Sequence, residues 1–400
     1  MTTEALAQPA NGLPTLARRS RQLDLFRGIA AIFMIVNHAG YQLLGAGVVD
    51  GGWPTWLVFV GSAAPALFFF ATGVGSGLSA GGGESFASAL RKVVLLLLAD
   101  ALLNWSTGKL LGLDFFGFAA VATATLFLVR RARSPALVAA GLTVLVLVAR
   151  FGLASLARGR IADDSLSAFV TGIAPVRHVS YPLGPWLAFP LLGFLVGRQW
   201  RQGASPQEAW IVGSAAGLGL ALSALLAARG APVFRWGSVS IAYFLCAIGI
   251  VATAWLCADR VVGALPAFAQ RASLRGPASL LIVPLHYAIL GALEALSPPP
   301  WDVVAWAPAT IALVLAVFLL SRTLVSNARR IAVPGNLVQA AVAAVAVALG
   351  LIAWRSCPAL PRLEICSAGQ VIIALLLLWS SNRNVAPVRA APDDATVNRT

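Results

Sequence analysis

The sequence predicts an all-α, polytopic integral membrane helix bundle of about 10–12 transmembrane helices with a cytoplasmic N-terminus. Three observations carry that reading. Hydrophobic residues make up 59% of the 400-residue chain and charged residues only 11%, with a mean hydropathy of +0.83. A soluble domain of that composition could not cover its surface with polar groups. Apolar runs of spanning length recur from end to end, separated by Gly, Pro or charge, and Lys and Arg sort unevenly between alternate connections.

The runs fall at about 23–46, 55–79, 88–105, 113–130, 135–154, 183–199, 208–228, 239–258, 278–296, 302–322, 335–354 and 367–381. They make about twelve spans, with ten or eleven as alternatives because several runs are short. With the N-terminus inside, 19 of the 29 Lys and Arg lie in inner segments and 9 in outer ones, with Arg27 inside the first helix. The C-terminus, with Arg383 and Arg389, is then also inside. In a soluble protein a net charge of +14 would suggest nucleic acid. Here topology accounts for it, and no nucleic-acid partner is expected. Trp53, Trp56, Trp105, Trp200, Trp301 and Trp354 sit near the ends of runs, as an interfacial belt requires. Residues 1–22 form an expected cytoplasmic tail without an apolar signal-peptide core, so the first helix serves as an uncleaved insertion signal. Residues 382–400 read as a disordered cytoplasmic tail.

The first helix, RQLDLFRGIAAIFMIVNHAG, carries Asp24 and Arg27 at its start and Asn37 and His38 in its deep half. Such groups are costly in a membrane and therefore mark a site. Arg27 and His38 are eleven residues apart, a spacing that returns to within ~20° of one face over ~16 Å. One stripe thus holds a cation near one surface and an imidazole near the midplane. A neutral buried imidazole can act as base or nucleophile, so His38, with Asn37 beside it, is the catalytic candidate. Arg27 can hold phosphates, pair with Asp24 one turn earlier, or do both.

In the second run, Gly73, Gly75 and Gly77, with Gly81, Gly82 and Gly83, suggest close helix packing followed by an inner loop. A nucleotide loop is excluded: no strand precedes the run and the Lys-Ser/Thr is missing. The third run opens with Arg91 and Lys92, either anion-binding or topology-setting, and buries Asp100. Asp100 lies ~13 Å beyond Arg91, at about the depth of His38. It can orient the His38 ring or bond Asn104 one turn later. The outer segment 155–182, which includes His178, enters the membrane through SYPLGPWLAFPLLGFLVGR. Pro182, Gly184 and Pro185 break that entry, so Pro185 and Trp186 are expected at irregular backbone bordered by protein or a watery cavity on the outer side. His286, with Tyr287, sits mid-span in the ninth run, facing the acceptor or packing structurally.

Cys246 and Cys257 lie ~16 Å apart on one helix, too far to bridge. Cys357 and Cys366 fall in the last outer loop, where a disulfide and free thiols are both open. Neither pair has metal-ligand spacing, and no metal or tightly bound cofactor is expected.

The first helix resembles the opening motif of the membrane acyltransferase superfamily, which includes the acyltransferase-3 and heparan-α-glucosaminide N-acetyltransferase-like proteins. Its Arg, ten residues and His are met by Arg27 and His38. APALFFFATGVGSGL is similar to the family's aromatic-then-glycine second helix, and YPLGPWLAFPLLGFLVGR to the proline–tryptophan helix of the glucosaminide branch. The three stretches cover about a fifth of the chain. The resemblance implies a transmembrane acyltransferase domain over 23–381 in a bacterial inner (plasma) membrane. It implies transfer of an acyl group, acetyl by preference, from cytoplasmic acyl-CoA to a hydroxyl or amine of an extracytoplasmic glycan or small molecule. His38 would be catalytic, through direct base catalysis or an acyl-imidazole. Arg27, Arg91 and Lys92 would hold the CoA. A transporter of a lipid-linked sugar or small solute is the main rival, since broken helices with midplane polar groups also suit carriers.

Overall fold

In a computed structural model, the structure describes residues 13–45, 53–79, 84–157, 159–202, 206–231, 239–331 and 335–382. It is an all-α polytopic bundle. Its helices are α1 (Leu13–Ala39), α2 (Trp53–Gly61), α3 (Ala64–Leu78), α4 (Phe86–Ser106), α5 (Phe115–Arg131) and α6 (Pro135–Leu147). The short α7 (Ala154–Ala157), α8 (Leu166–Thr171) and α9 (Leu183–Trp186) lead into α10 (Ala188–Gln202). There follow α11 (Pro206–Ala228), α12 (Ile241–Ala264), α13 (Pro266–Ala272), α14 (Ile282–Leu296), α15 (Val303–Arg330), α16 (Asn336–Ser356) and α17 (Ala359–Asn382). The helix starts follow local chemistry. Ser85, Asp114, Ser240 and Asp302 each accept a backbone N–H of the first turn, and Pro leads α6 and α13.

All twelve apolar runs are helical, and nine among the described residues are long and apolar enough to cross a membrane. The other three runs are α4, α5 and α10. The 21-residue α4 carries Arg91, Lys92 and Asp100, while α5 and α10 have 17 and 15 residues. Several boundaries differ from the expected ones. Helix α1 begins at Leu13, inside the expected tail, and α15 continues to Arg330. The second run is two helices, broken at Ser62 and Ala63. Helix α17 begins at Ala359, so Cys366 is a buried helical residue rather than part of a loop. Cys357 and Cys366 are both free thiols. The expected disordered tail, apart from Asn382, lies outside the described residues.

The bundle has an inner group and a lipid-facing rim. Across α2–α3, 72% of the most apolar window is buried, and across α12 61%, against 17% in α6 and in α11. The tightest seam joins α3 to α10. A Cβ on Gly73 or Gly77 would strike the backbone of Pro190 or Phe194, and one on Gly193 or Gly197 would strike Phe70 or Val74. Two small-residue stripes therefore interlock backbone to backbone, as the first three glycines of the run suggest. Gly77→Ala is expected to destabilise the protein by about 2 kcal/mol, because the obstructing atoms are backbone and cannot rotate away. A thermal unfolding midpoint equal to wild type in the same detergent would contradict this.

Candidate active site

Two breaks in helical regularity shape the site. At the C-terminal end of α1, directly after His38 and Ala39, the chain widens into a π-turn over Gly40–Leu44, a deviation often found at functional positions. Opposite it, the α2–α3 break is held from two sides. Asn37 Nδ2 donates to the Val58 carbonyl at 2.7 Å, and Tyr243 Oη donates to the Ser62 carbonyl at 2.8 Å. Gly61 permits this approach, since a Cβ there would meet Phe33 and Asn37. Asn37 is therefore committed to fixing helix geometry, and its amide nitrogen does not face the His38 ring.

His38 instead meets α14. Its Nδ1 lies 2.6 Å from His286 Nε2, and the rings stack at 4.9 Å between centroids with an interplanar angle of 25°. His286 is fully buried, and its Nδ1 lies 2.7 Å from the carbonyl of Ile282, one turn earlier on its own helix. A carbonyl can only accept, so His286 Nδ1 carries the hydrogen. In a neutral imidazole the other nitrogen is then bare, so His38 Nδ1 donates to it. Among the described residues no carboxylate bonds either ring, and the pair reads as a neutral relay. The chain of donors leaves His38 Nε2 with a bare lone pair, toward which the Tyr287 O–H can donate. The Tyr287 hydroxyl stands 3.5 Å from that atom, and its ring stacks on His38 at 4.9 Å and lies tilted against His286 at 4.4 Å. The arrangement presents one directed base or nucleophile, with its second nitrogen anchored through two hydrogen bonds to the backbone.

The remaining candidates fall into different places. Asp100 does not touch His38. Its Oδ2 accepts from Asn104 Nδ2 at 3.2 Å and from the Asp114 backbone at 3.1 Å, so it caps the start of α5 from the neighbouring helix. The Asn104 alternative holds because both residues lie on the face of α4 turned to that start. His286, expected to face the acceptor or to pack structurally, lies directly against His38. His178 has an exposed side chain and a left-handed backbone, φ 60°. Its carbonyl accepts from Leu113 N at 2.9 Å, pinning the outer segment to the α4–α5 connection. Trp186 is 0% exposed and packed edge-on against Phe69 and Tyr181, so its ring is part of the core rather than the lining of an open cavity.

Arg27 bonds Asp24 at 2.9 Å and abuts Gly75 of α3. Arg27 and His38 thus face different neighbours at the two levels of α1. Lys92 is not a free cation, because it pairs with Glu84 at 2.6 Å. Glu84 also pairs with Arg130 and accepts Arg131 on its backbone carbonyl, tying the α3–α4 connection to the end of α5. Arg91 has no such partner among the described residues. Sequence reading missed Glu84 as a hub, since Arg130 and Arg131 are 46 and 47 residues away and only Lys92, eight residues on, is near it along the chain. It also missed the pairing of His38 with His286, two of only three histidines in the chain.

Burial alone would raise the Glu84 carboxyl, but the hydrogen bonds and charges of Lys92 and Arg130 outweigh it and hold the group below the ordinary carboxylate range. A depressed folded value means the tie stabilises above the unfolded pKa and is lost as pH falls through the folded one. Wild type should therefore lose thermal stability on acidification through that range. Glu84→Gln should start lower at neutral pH and change less. Parallel pH curves for the two proteins would refute the tie.

Residues 19–226 match the family model of the heparan-alpha-glucosaminide N-acetyltransferase catalytic domain, just over half of the 400 residues. The chain belongs to that family. No curated protein and no solved structure matches it. The heparan-alpha-glucosaminide N-acetyltransferase match spans α1 to α11 and includes Arg27, His38, Asp100 and Trp186. His286 and Tyr287 lie beyond it, so their place beside His38 is an observation of this structure alone. Family and fold together make the protein a multi-pass membrane protein of an acetyltransferase family.

Proposed function

We propose that this chain is a membrane-bound transferase that moves an acetyl group from acetyl-CoA to an amine or hydroxyl of a glycan-type acceptor. The observation that carries the reading is the relay from Ile282 through His286 to His38, which leaves one unprotonated nitrogen directed from the end of α1. As the acceptor amine or hydroxyl attacks the thioester carbonyl, His38 Nε2 takes its proton. The tetrahedral intermediate then expels the thiolate, which recovers the proton from Nε2, giving acetylated acceptor and free CoA. While Nε2 is protonated the imidazolium is stabilised through Nδ1–H to His286, as a third group stabilises the base in other acyl transferases. The same lone pair is able to attack the thioester itself, which would give an acetyl-imidazole that the acceptor then opens.

The positive-inside bias supports delivery of the donor from the end of the bundle where α1 begins, and of the acceptor from the opposite end. Arg91, at that same end of α4, supports this reading as a cation without a carboxylate partner among the described residues. The test is to supply the purified protein, reconstituted in lipid, with acetyl-CoA and a glucosamine-terminated saccharide, and to follow free thiol and acetylated product together. Stoichiometric appearance of both is expected. Absence of thiol release with every amine or hydroxyl acceptor tried, together with acceptor movement across the vesicle, would replace this reading with that of a carrier.

A further inference from the structure

A second feature lies away from the histidine pair, at the end of the bundle where α1 begins. A cavity of about 820 Å³ opens between α1, α13 with the linker after it, and α15. Five arginines converge on it: Arg21, Arg271, Arg275, Arg322 and Arg329. Among the described residues the only carboxylate in its wall is Asp24, already shared by Arg27 at 2.9 Å and Arg275 at 3.9 Å. Arg322 is spent on the Gln270 and Arg271 carbonyls at the end of α13. Arg21, Arg271 and Arg329 are exposed and hold no carboxylate among the described residues. Ser321, 1% exposed, is in the wall with a hydroxyl that has no hydrogen-bond partner among the described residues.

Topology explains why arginines gather at this end of the bundle. It does not explain why five of them line one hollow, where like charges repel. Local chain geometry sets the convergence. Arg322 and Arg329 are seven residues apart and so share a face of α15, ~10 Å from one another. Leu274 N donates to the Asp24 carbonyl at 2.9 Å, drawing the linker that carries Arg275 onto α1. Guanidinium forks spread over three elements fit several anionic groups better than one.

We propose that this cavity is a binding site for a ligand carrying two or more phosphate groups. Two sources share that chemistry. One is the phosphorylated nucleotide end of a soluble donor, which rests on the transferase reading and would make the cavity its docking place. The other is the headgroup of an anionic diphosphatidyl lipid in the surrounding leaflet.

The test uses full-length protein in phosphatidylcholine nanodiscs with two probes. Adenosine 3′,5′-bisphosphate is titrated calorimetrically, and cardiolipin added to the disc is counted by native mass spectrometry. Wild type is compared with Arg271→Ala/Arg329→Ala and with Arg271→Lys/Arg329→Lys, which keeps the charge and loses the forks. At least one probe should bind, weakened tenfold or more by the alanine pair and less by the lysine pair, and the responding arm identifies the source. Equal binding by wild type and alanine variant, or binding of neither probe by wild type, overturns the proposal. His38-dependent thiol release is read separately on the same samples. Arginine-dependent binding without it sinks the transferase reading and leaves the cavity standing; turnover without arginine dependence does the reverse.

Discussion

His38→Ala should lower kcat for acetyl transfer by about 10³-fold, with acetyl-CoA binding within a few-fold of wild type, because a positioned base contributes roughly 10²–10⁴. The ring lies at the end of α1, where its contacts are the His286 and Tyr287 rings. Its loss should therefore leave the fold measurable by thermal unfolding. His38→Gln tests the proton separately from the shape: it fills the space and can hydrogen-bond, but it cannot take a proton, so it should be as slow as alanine. Turnover in either variant within about tenfold of wild type would remove His38 from the chemistry, since that residue would fall below any general-base contribution.

The second large effect concerns His286, which in this reading never touches substrate and acts through His38. His286→Leu should cost about 10–100-fold in kcat, the range seen when the outer hydrogen-bond partner of a metal-bound imidazole is removed. Two consequences separate positioning from plain packing. Without the acceptor on His286 Nε2, the His38 ring can place its hydrogen on either nitrogen, and the wrong tautomer has no lone pair directed away from the helix pair. The acid limb of the pH–rate profile should therefore move while KM for acetyl-CoA changes little. His286→Gln offers a carbonyl oxygen to His38 Nδ1 and should recover part of the rate, whereas leucine should not. Equal rates and one pH profile for the leucine and glutamine variants would reduce His286 to a packing residue.

Much of the architecture was legible because a membrane restricts what the chain can do. Without water to satisfy backbone groups, spanning segments must be helices, and twelve apolar runs became helices for that reason. Boundaries were less legible. Leu13 to Arg19 continue α1 although no apolar run requires it, and α17 takes in Pro361 because a first-turn proline is tolerated there. The site was half legible. His38 declared itself as an imidazole in an apolar helix, but helical phase places residues only relative to their own axis. Which neighbour faces each side is set by packing, so Asp100, at similar depth, turned to the start of α5, and His286 took the place next to His38.

The sequence by itself determined that this chain is a polytopic helical membrane protein, that α1 carries its costly polar groups, and that glycines close one helix seam. Composition and periodicity act locally, and the bilayer converts them directly into structure. Only the tertiary structure decided that the two mid-depth histidines form one relay, that Lys92 is neutralised by Glu84, and that arginines from three elements meet around one cavity. Glu84 and Lys92 are only eight residues apart, but the histidines and the arginines come from segments distant in sequence. Their separation is fixed by how whole helices pack, through interlocking glycines and the held break between α2 and α3, rather than by any spacing along the chain.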